Sequence, residues 1–113
     1  MERNEFVNMD DALKRVRGNK GMYARMLKLF LASEDFDKLE AAIGQKDCKT
    51  ASEMAHSIKG VTGNLSLTKL FEESAALMIK LREDILDEDL ISRYRYTLGK
   101  TKEYVNEVLA EIS

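Results

Sequence analysis

The sequence predicts an all-α protein whose helices pack as an up-and-down bundle. Its 113 residues contain no proline and no strand-like alternation of any length. Ala, Leu, Met, Lys, Arg and Glu dominate, all good helix formers. Apolar residues recur at spacings of three and four, the period of an amphipathic helix. Such helices, joined by short turns, bury their apolar faces most simply in one shared core.

Five or six helical segments are expected. In the first, Met9, Ala12, Leu13 and Val16 share a face, Asn8 is the N-cap and Gly18 ends the run. The second spans about Lys20 to Leu31, with Tyr23, Met26, Leu27 and Phe30 as its stripe. After a kink or short break, Ser33 caps a continuation with Phe36, Leu39 and Ile43 inward, stopped by Gly44. Asp47 caps the next helix, which runs to about Leu65. Ser66 or Thr68 opens another, with Leu67, Leu70, Phe71, Leu77, Met78 and Leu81 inside. The acidic turn in REDILDEDL suits the start of a last, longest helix. Its stripe is Tyr94, Leu98, Thr101, Val105, Val108 and Ile112, joined by Leu90, Ile91, Tyr104 and Leu109.

Composition narrows the function. A chain of 113 residues fits one domain, 1–113, and can bury a core without staples. Eighteen basic residues nearly balance twenty acidic ones, against the basic footprint that nucleic acid demands. No apolar run approaches the ~20 residues of a membrane span, and MERNEFVNMDD has no hydrophobic stretch like a signal peptide. The sequence as given is expected to be soluble and cytoplasmic. Cys48 is alone, so no intrachain disulfide can form, and it reads as a small buried thiol at a helix start.

The only histidine, His56, lies in AHSIKGVTGN with Gly60 and Gly63 close behind. At ~100° per residue, Ala51, Ala55, Ile58, Thr62 and Leu65 form the buried stripe of this helix, flanked by Met54 and Val61. His56 points ~150° from the stripe centre, and Ser52, Lys59, Gly60 and Gly63 share its outer face. An exposed mid-helix glycine costs ~1 kcal/mol relative to alanine, so helix stability does not explain two of them. A glycine instead lets another backbone or bulky group come close. The pattern is that of a landing surface holding an imidazole and a positive charge.

A free imidazole titrates near pH ~6.5, so a neutral, nucleophilic ring is available near neutrality. Its attack on a phosphoryl group gives an N-phosphoimidazole, whose charge Lys59 could offset. No Gly-rich nucleotide loop and no acidic metal-binding cluster accompany the histidine. The phosphoryl group would have to come from a partner bringing its own metal and acid.

The segment Ala55-His56-Ser57-Ile58-Lys59-Gly60, followed by Gly63, Asn64 and Leu65, resembles the signature of histidine-containing phosphotransfer domains. That pattern is Ala-His, a variable residue, an aliphatic residue, then Lys-Gly. The run from Leu13 through Gly18-Asn19 to Phe30 looks like the family's first two helices, and the likeness covers roughly residues 7 to 83. It implies an up-and-down four-helix bundle with a short additional N-terminal helix. It implies that His56 is phosphorylated, that Lys59 stabilises the phosphoryl group, and that Ser52, Gly60 and Gly63 face the partner. The partners implied are response-regulator receiver domains and a hybrid histidine kinase. The chain would be a monomeric phosphocarrier without autokinase activity or a cofactor of its own. Many family members have glycine where this chain has Ser66, and the serine is expected to act as an N-cap instead.

Other readings are open. A helical interaction module could dock a partner without carrying phosphate. Glu53-Met54-Ala55-His56 has the spacing used by di-iron bundles, but those need a second histidine motif, and Glu53 is expected to be a solvated neighbour. Gly99 and polar residues interrupt the heptads of the last helix, against a coiled-coil dimer. Cys48 projects ~80° away from His56 around their helix, and no Ser-His-Asp arrangement is legible.

Overall fold

The computed structural model describes residues 2–113, which contain helices and no strand. The helices are α1 (Glu2–Phe6), α2 (Met9–Arg15), α3 (Lys20–Leu31), α4 (Asp35–Gly44), α5 (Cys48–Asn64), α6 (Thr68–Arg82) and α7 (Glu88–Ile112). Four of them start at a short polar side chain. Asn8, Asn19, Asp47 and Asp87 each accept a bond from the backbone N–H three residues on, at 3.0–3.2 Å. Such a cap stabilises a helix by about 1 kcal/mol because it satisfies an otherwise orphaned donor. The expected break after the second segment lies at residues 32–34, where Ser33 Oγ accepts from Asp35 N at 3.2 Å.

Helix ends depart from expectation. Arg17, Lys46, Ser66 and Asp84 have φ of +53°, +57°, +58° and +63°. In each case the following N–H reaches back five residues: Gly18 to Leu13, Asp47 to Ala42, Leu67 to Thr62 and Ile85 to Lys80, at 2.8–3.0 Å. This is the Schellman closure, which satisfies the last carbonyls and usually carries glycine at the left-handed position. Gly44 therefore does not stop its helix; it is the last residue of α4, and the turn goes through Lys46. Arg17 takes the first left-handed position after α2, ahead of Gly18 at φ +78°.

Thr68 opens α6 as its first residue, one of the two expected starts, but Ser66 is not an N-cap. The residue before α6 is Leu67, which makes no side-chain cap bond. Ser66 is the left-handed residue that closes α5, a conformation glycine adopts at no steric cost. Its Oγ donates to Asp11 Oδ2 at 2.5 Å and its carbonyl accepts from Asn8 N at 3.0 Å. The start of α2 is thereby tied to the turn between α5 and α6. The Ser66 hydroxyl and then the Arg15 guanidinium hold the Asp11 carboxyl below the usual carboxylate range.

The bundle closes in a ring. α5 packs between α4 and α6, α6 packs on α7, and α7 returns to α3. The broken pair α3 and α4 makes the fourth wall. Tyr23, Leu27, Leu39, Leu70, Leu77 and Tyr94 are fully buried within it. α2 is the short additional helix, and α1 adds a turn that no periodic signal announces. Phe6 and Val7 are buried there, and the Phe6 ring lies 5.2 Å from that of Tyr104 on α7. Among the described residues no helix is long and apolar enough to cross a membrane.

Ser66→Ala and Ser66→Gly both remove the hydroxyl, so their difference isolates the left-handed backbone. Ser66→Ala is expected to be the less stable by about 1 kcal/mol in urea denaturation. Equal stability would remove strain from the account of this turn. Asp11 favours the folded chain while ionised. Its contribution is present above the ordinary carboxyl value of 3.8 and lost as pH falls through the lowered folded value. Wild type and Ser66→Ala should therefore converge in stability on acidification.

Candidate functional site

α5 is held at both ends. Asp47 caps its start, and at its far end the Tyr23 hydroxyl donates to the buried Leu65 carbonyl at 2.7 Å. Between these anchors Ala51, Ala55, Ile58, Thr62 and Leu65 are buried, as the helical period requires. Thr62 Oγ1 donates to the Ile58 carbonyl at 2.8 Å, so the one hydroxyl in this stripe is satisfied within the helix. Cys48 is buried at the first position of α5.

Seating that stripe in the core turns His56 outward. His56, Ser57 and Gly60 are exposed, Ser52 and Lys59 are half-buried, and Glu53 is solvated. Ser52 lies one turn before the histidine, with its hydroxyl donating to the Lys49 carbonyl at 2.8 Å. Lys59 follows one turn after it and makes no ion pair among the described residues.

The two glycines differ. A Cβ at Gly60 would meet nothing within 4 Å, so packing within the chain does not ask for glycine there. At Gly63 a Cβ would stand 3.3 Å from two carbons of the Phe71 ring. Gly63, expected on the bare face with Gly60, is half-buried, and the room it leaves is filled by the chain's own Phe71. Phe71, expected inside α6, sits half-buried at the junction with α5. Its ring centre is 5.9 Å from Lys59 Nζ. Residue type and spacing within one helix do not connect Phe71 to the site, because the contact joins two helices.

A second feature lies on the α3-facing flank of α5. An apolar cleft of about 300 Å³ is lined by Met26, Leu29, Phe30, Phe36, Ile58 and Val61, among others. Leu29 and Val61 are 68% and 41% exposed, so its rim is an apolar surface open to solvent. Its lining on the α5 side starts at Ile58 and continues through Val61 to Leu65. Met22, Met26 and Leu29 recur at four and three, and that spacing was the available signal for a second apolar stripe on α3.

A single exposed imidazole, with open space beside it and a lysine one turn on, can act as a nucleophile toward a group presented by a docked partner. Among the described residues no three His, Cys, Asp or Glu side chains gather where they could hold a metal ion. A family model described as "Hpt domain" matches residues 25–111. No curated protein and no solved structure matches the chain.

Gly60→Ala should raise stability by about 0.5–1 kcal/mol, the helix-propensity gain with no steric cost. Gly63→Ala should gain less or lose stability, because the Phe71 ring must give way. Equal gains in urea denaturation would mean that the ring shifts freely.

Proposed function

The chain belongs to the Hpt domain family, and on that premise we propose that it is a phosphorelay intermediate carrying the phosphoryl group on His56. Hpt domains serve phosphorelays of two-component signalling as phosphocarriers rather than enzymes, and interact with receiver domains and histidine kinases. The observation that carries the assignment is the pairing of exposed His56 with the open space at Gly60, one turn on.

In the forward step a neutral His56 ring nitrogen attacks the phosphorus of a receiver's aspartyl phosphate. The N–P bond forms as the acyl P–O bond breaks, and the aspartate leaves as a carboxylate. The ring's remaining proton stays on its other nitrogen. In the return step a second receiver's aspartate carboxylate attacks the same phosphorus, and the imidazole leaves. Lys59 offsets the charge on the phosphoryl oxygens during both steps, a charge-assisted contact that holds the group without bonding to it. Gly60 leaves room for the receiver's loops around the reacting atoms. Ser52 and the rim at Gly63 border that docking face. The apolar cleft between α3 and α5, on another flank of the histidine helix, receives an apolar surface of the receiver. The chain acts as one domain over 1–113, as a monomer in the cytoplasm. It has no autokinase activity and no cofactor of its own; the divalent cation comes with the receiver.

The test is phosphoryl transfer from labelled, phosphorylated receiver domains. Wild type should take label that is acid-labile and base-stable, and His56→Gln should take none while keeping its helical circular dichroism. Retained transfer by His56→Gln would sink the assignment. Binding of a receiver by wild type without any label would favour a docking module that carries nothing. Leu29→Glu, on an exposed position, should weaken receiver binding about tenfold without unfolding the bundle. Unchanged binding would remove the cleft from the docking face.

A further inference from the structure

We infer that Phe71 is a positioning residue for Lys59, and that residue 63 is glycine in order to seat the Phe71 ring. This rests on the reading above, in which Lys59 meets the phosphoryl group on His56. Lys59 is one turn from His56 and half-buried, on the side of α5 where Phe71 of α6 lies. Its Nζ lies 5.9 Å from the centre of the Phe71 ring.

The choice of an aromatic neighbour has a chemical consequence. A carboxylate would hold the ammonium more strongly, but it would also cancel its charge and compete with the phosphoryl oxygens. A ring face attracts the cation through its quadrupole and leaves its net charge intact. Lysine has a flexible stem of four carbons, and ordering it when a phosphoryl group arrives costs conformational entropy. Holding the ammonium beforehand removes part of that cost from the transfer step. Lys69, Lys100 and Lys102 also lie over rings, at 5.1, 5.5 and 4.8 Å, so such a contact alone assigns nothing. What distinguishes Phe71 is that its ring rests on the histidine helix itself. It can do so because Gly63 has no Cβ; one would stand 3.3 Å from the ring, tight enough to push it outward. Gly63, Phe71 and Lys59 thus form one mechanical unit beside His56.

The test joins a magnetic-resonance readout to transfer kinetics. In the free wild-type protein, the ε-methylene of Lys59 should resonate upfield through the ring current of Phe71. Phe71→Leu should return it to the position of a solvated lysine, and Phe71→Tyr should retain the shift. His56 loaded by phosphoramidate should pass its phosphoryl group to a receiver about two- to fivefold more slowly in Phe71→Leu, the scale of an exposed cation–π contact. Phe71→Tyr should match wild type, and Gly63→Ala should reproduce part of the Phe71→Leu effect. In a Lys59→Ala background Phe71→Leu should cause no further slowing. Equal slowing with and without Lys59 would make Phe71 merely structural and overturn the inference. So would an unshifted Lys59 resonance in wild type. If no receiver exchanges with loaded His56, the relay reading fails, while the Lys59 resonance still decides the Phe71 contact.

Discussion

Everything at the candidate site depends on how α5 is seated. Ala51, Ala55, Ile58, Thr62 and Leu65 are buried along one side of a 17-residue helix. Two alanines in that stripe let neighbouring helices approach closely, and the larger Ile58 and Leu65 fill the core beyond them. Once the stripe is inside, the helical period leaves His56 no orientation but outward. Rotating α5 to bury the imidazole would expose this whole stripe, at a cost of roughly 1.5–3 kcal/mol for each large apolar side chain. The seat is reinforced where it matters most, by the Tyr23 hydroxyl on the Leu65 carbonyl. Burial pushes that phenol well above its ordinary range, so it remains a donor throughout the physiological range.

The turns convert this seated helix into a site. The closure of α5 through Ser66 reverses the chain within a few residues, so α6 runs back alongside α5. That reversal brings Phe71, in the first turn of α6, onto Gly63, in the last turn of α5. The same serine ties the turn to Asp11 of α2. A glycine would relax the backbone here but could not make that bond. One position therefore balances local strain against a long-range hydrogen bond, which accounts for a serine in a left-handed turn.

Two glycines on this one helix differ in what surrounds them. Gly60 is open to solvent, costs helix stability and has no partner within the chain. Gly63 is covered by the chain's own ring. The first suits an approach from outside. The second borders the ring beside which the Lys59 ammonium lies. The apolar cleft toward α3 lies on another flank of the same helix.

Local chemistry was legible in the residue order. The caps at Asn8 and Asp47, the break near Ser33, the buried stripe of α5 and the outward His56 all follow from hydrogen-bonding groups and a 3.6-residue period, which act within a few residues. The single turn of α1 was not legible, because its order comes from Phe6 meeting Tyr104, about a hundred residues away in the chain. Nor were the stops beyond Gly44 and before Gly18, since backbone bonds in the Schellman closures hold Lys46 and Arg17 left-handed despite their side chains. The sequence by itself determined the helices, the face of α5 that is buried and the exposure of the histidine. Only the tertiary structure decided that Phe71 lies on Gly63, that Lys59 lies beside that ring, and that Ser66 bonds to Asp11. The period of one helix specifies directions around its own axis, whereas contacts between helices depend on where the whole core places those axes.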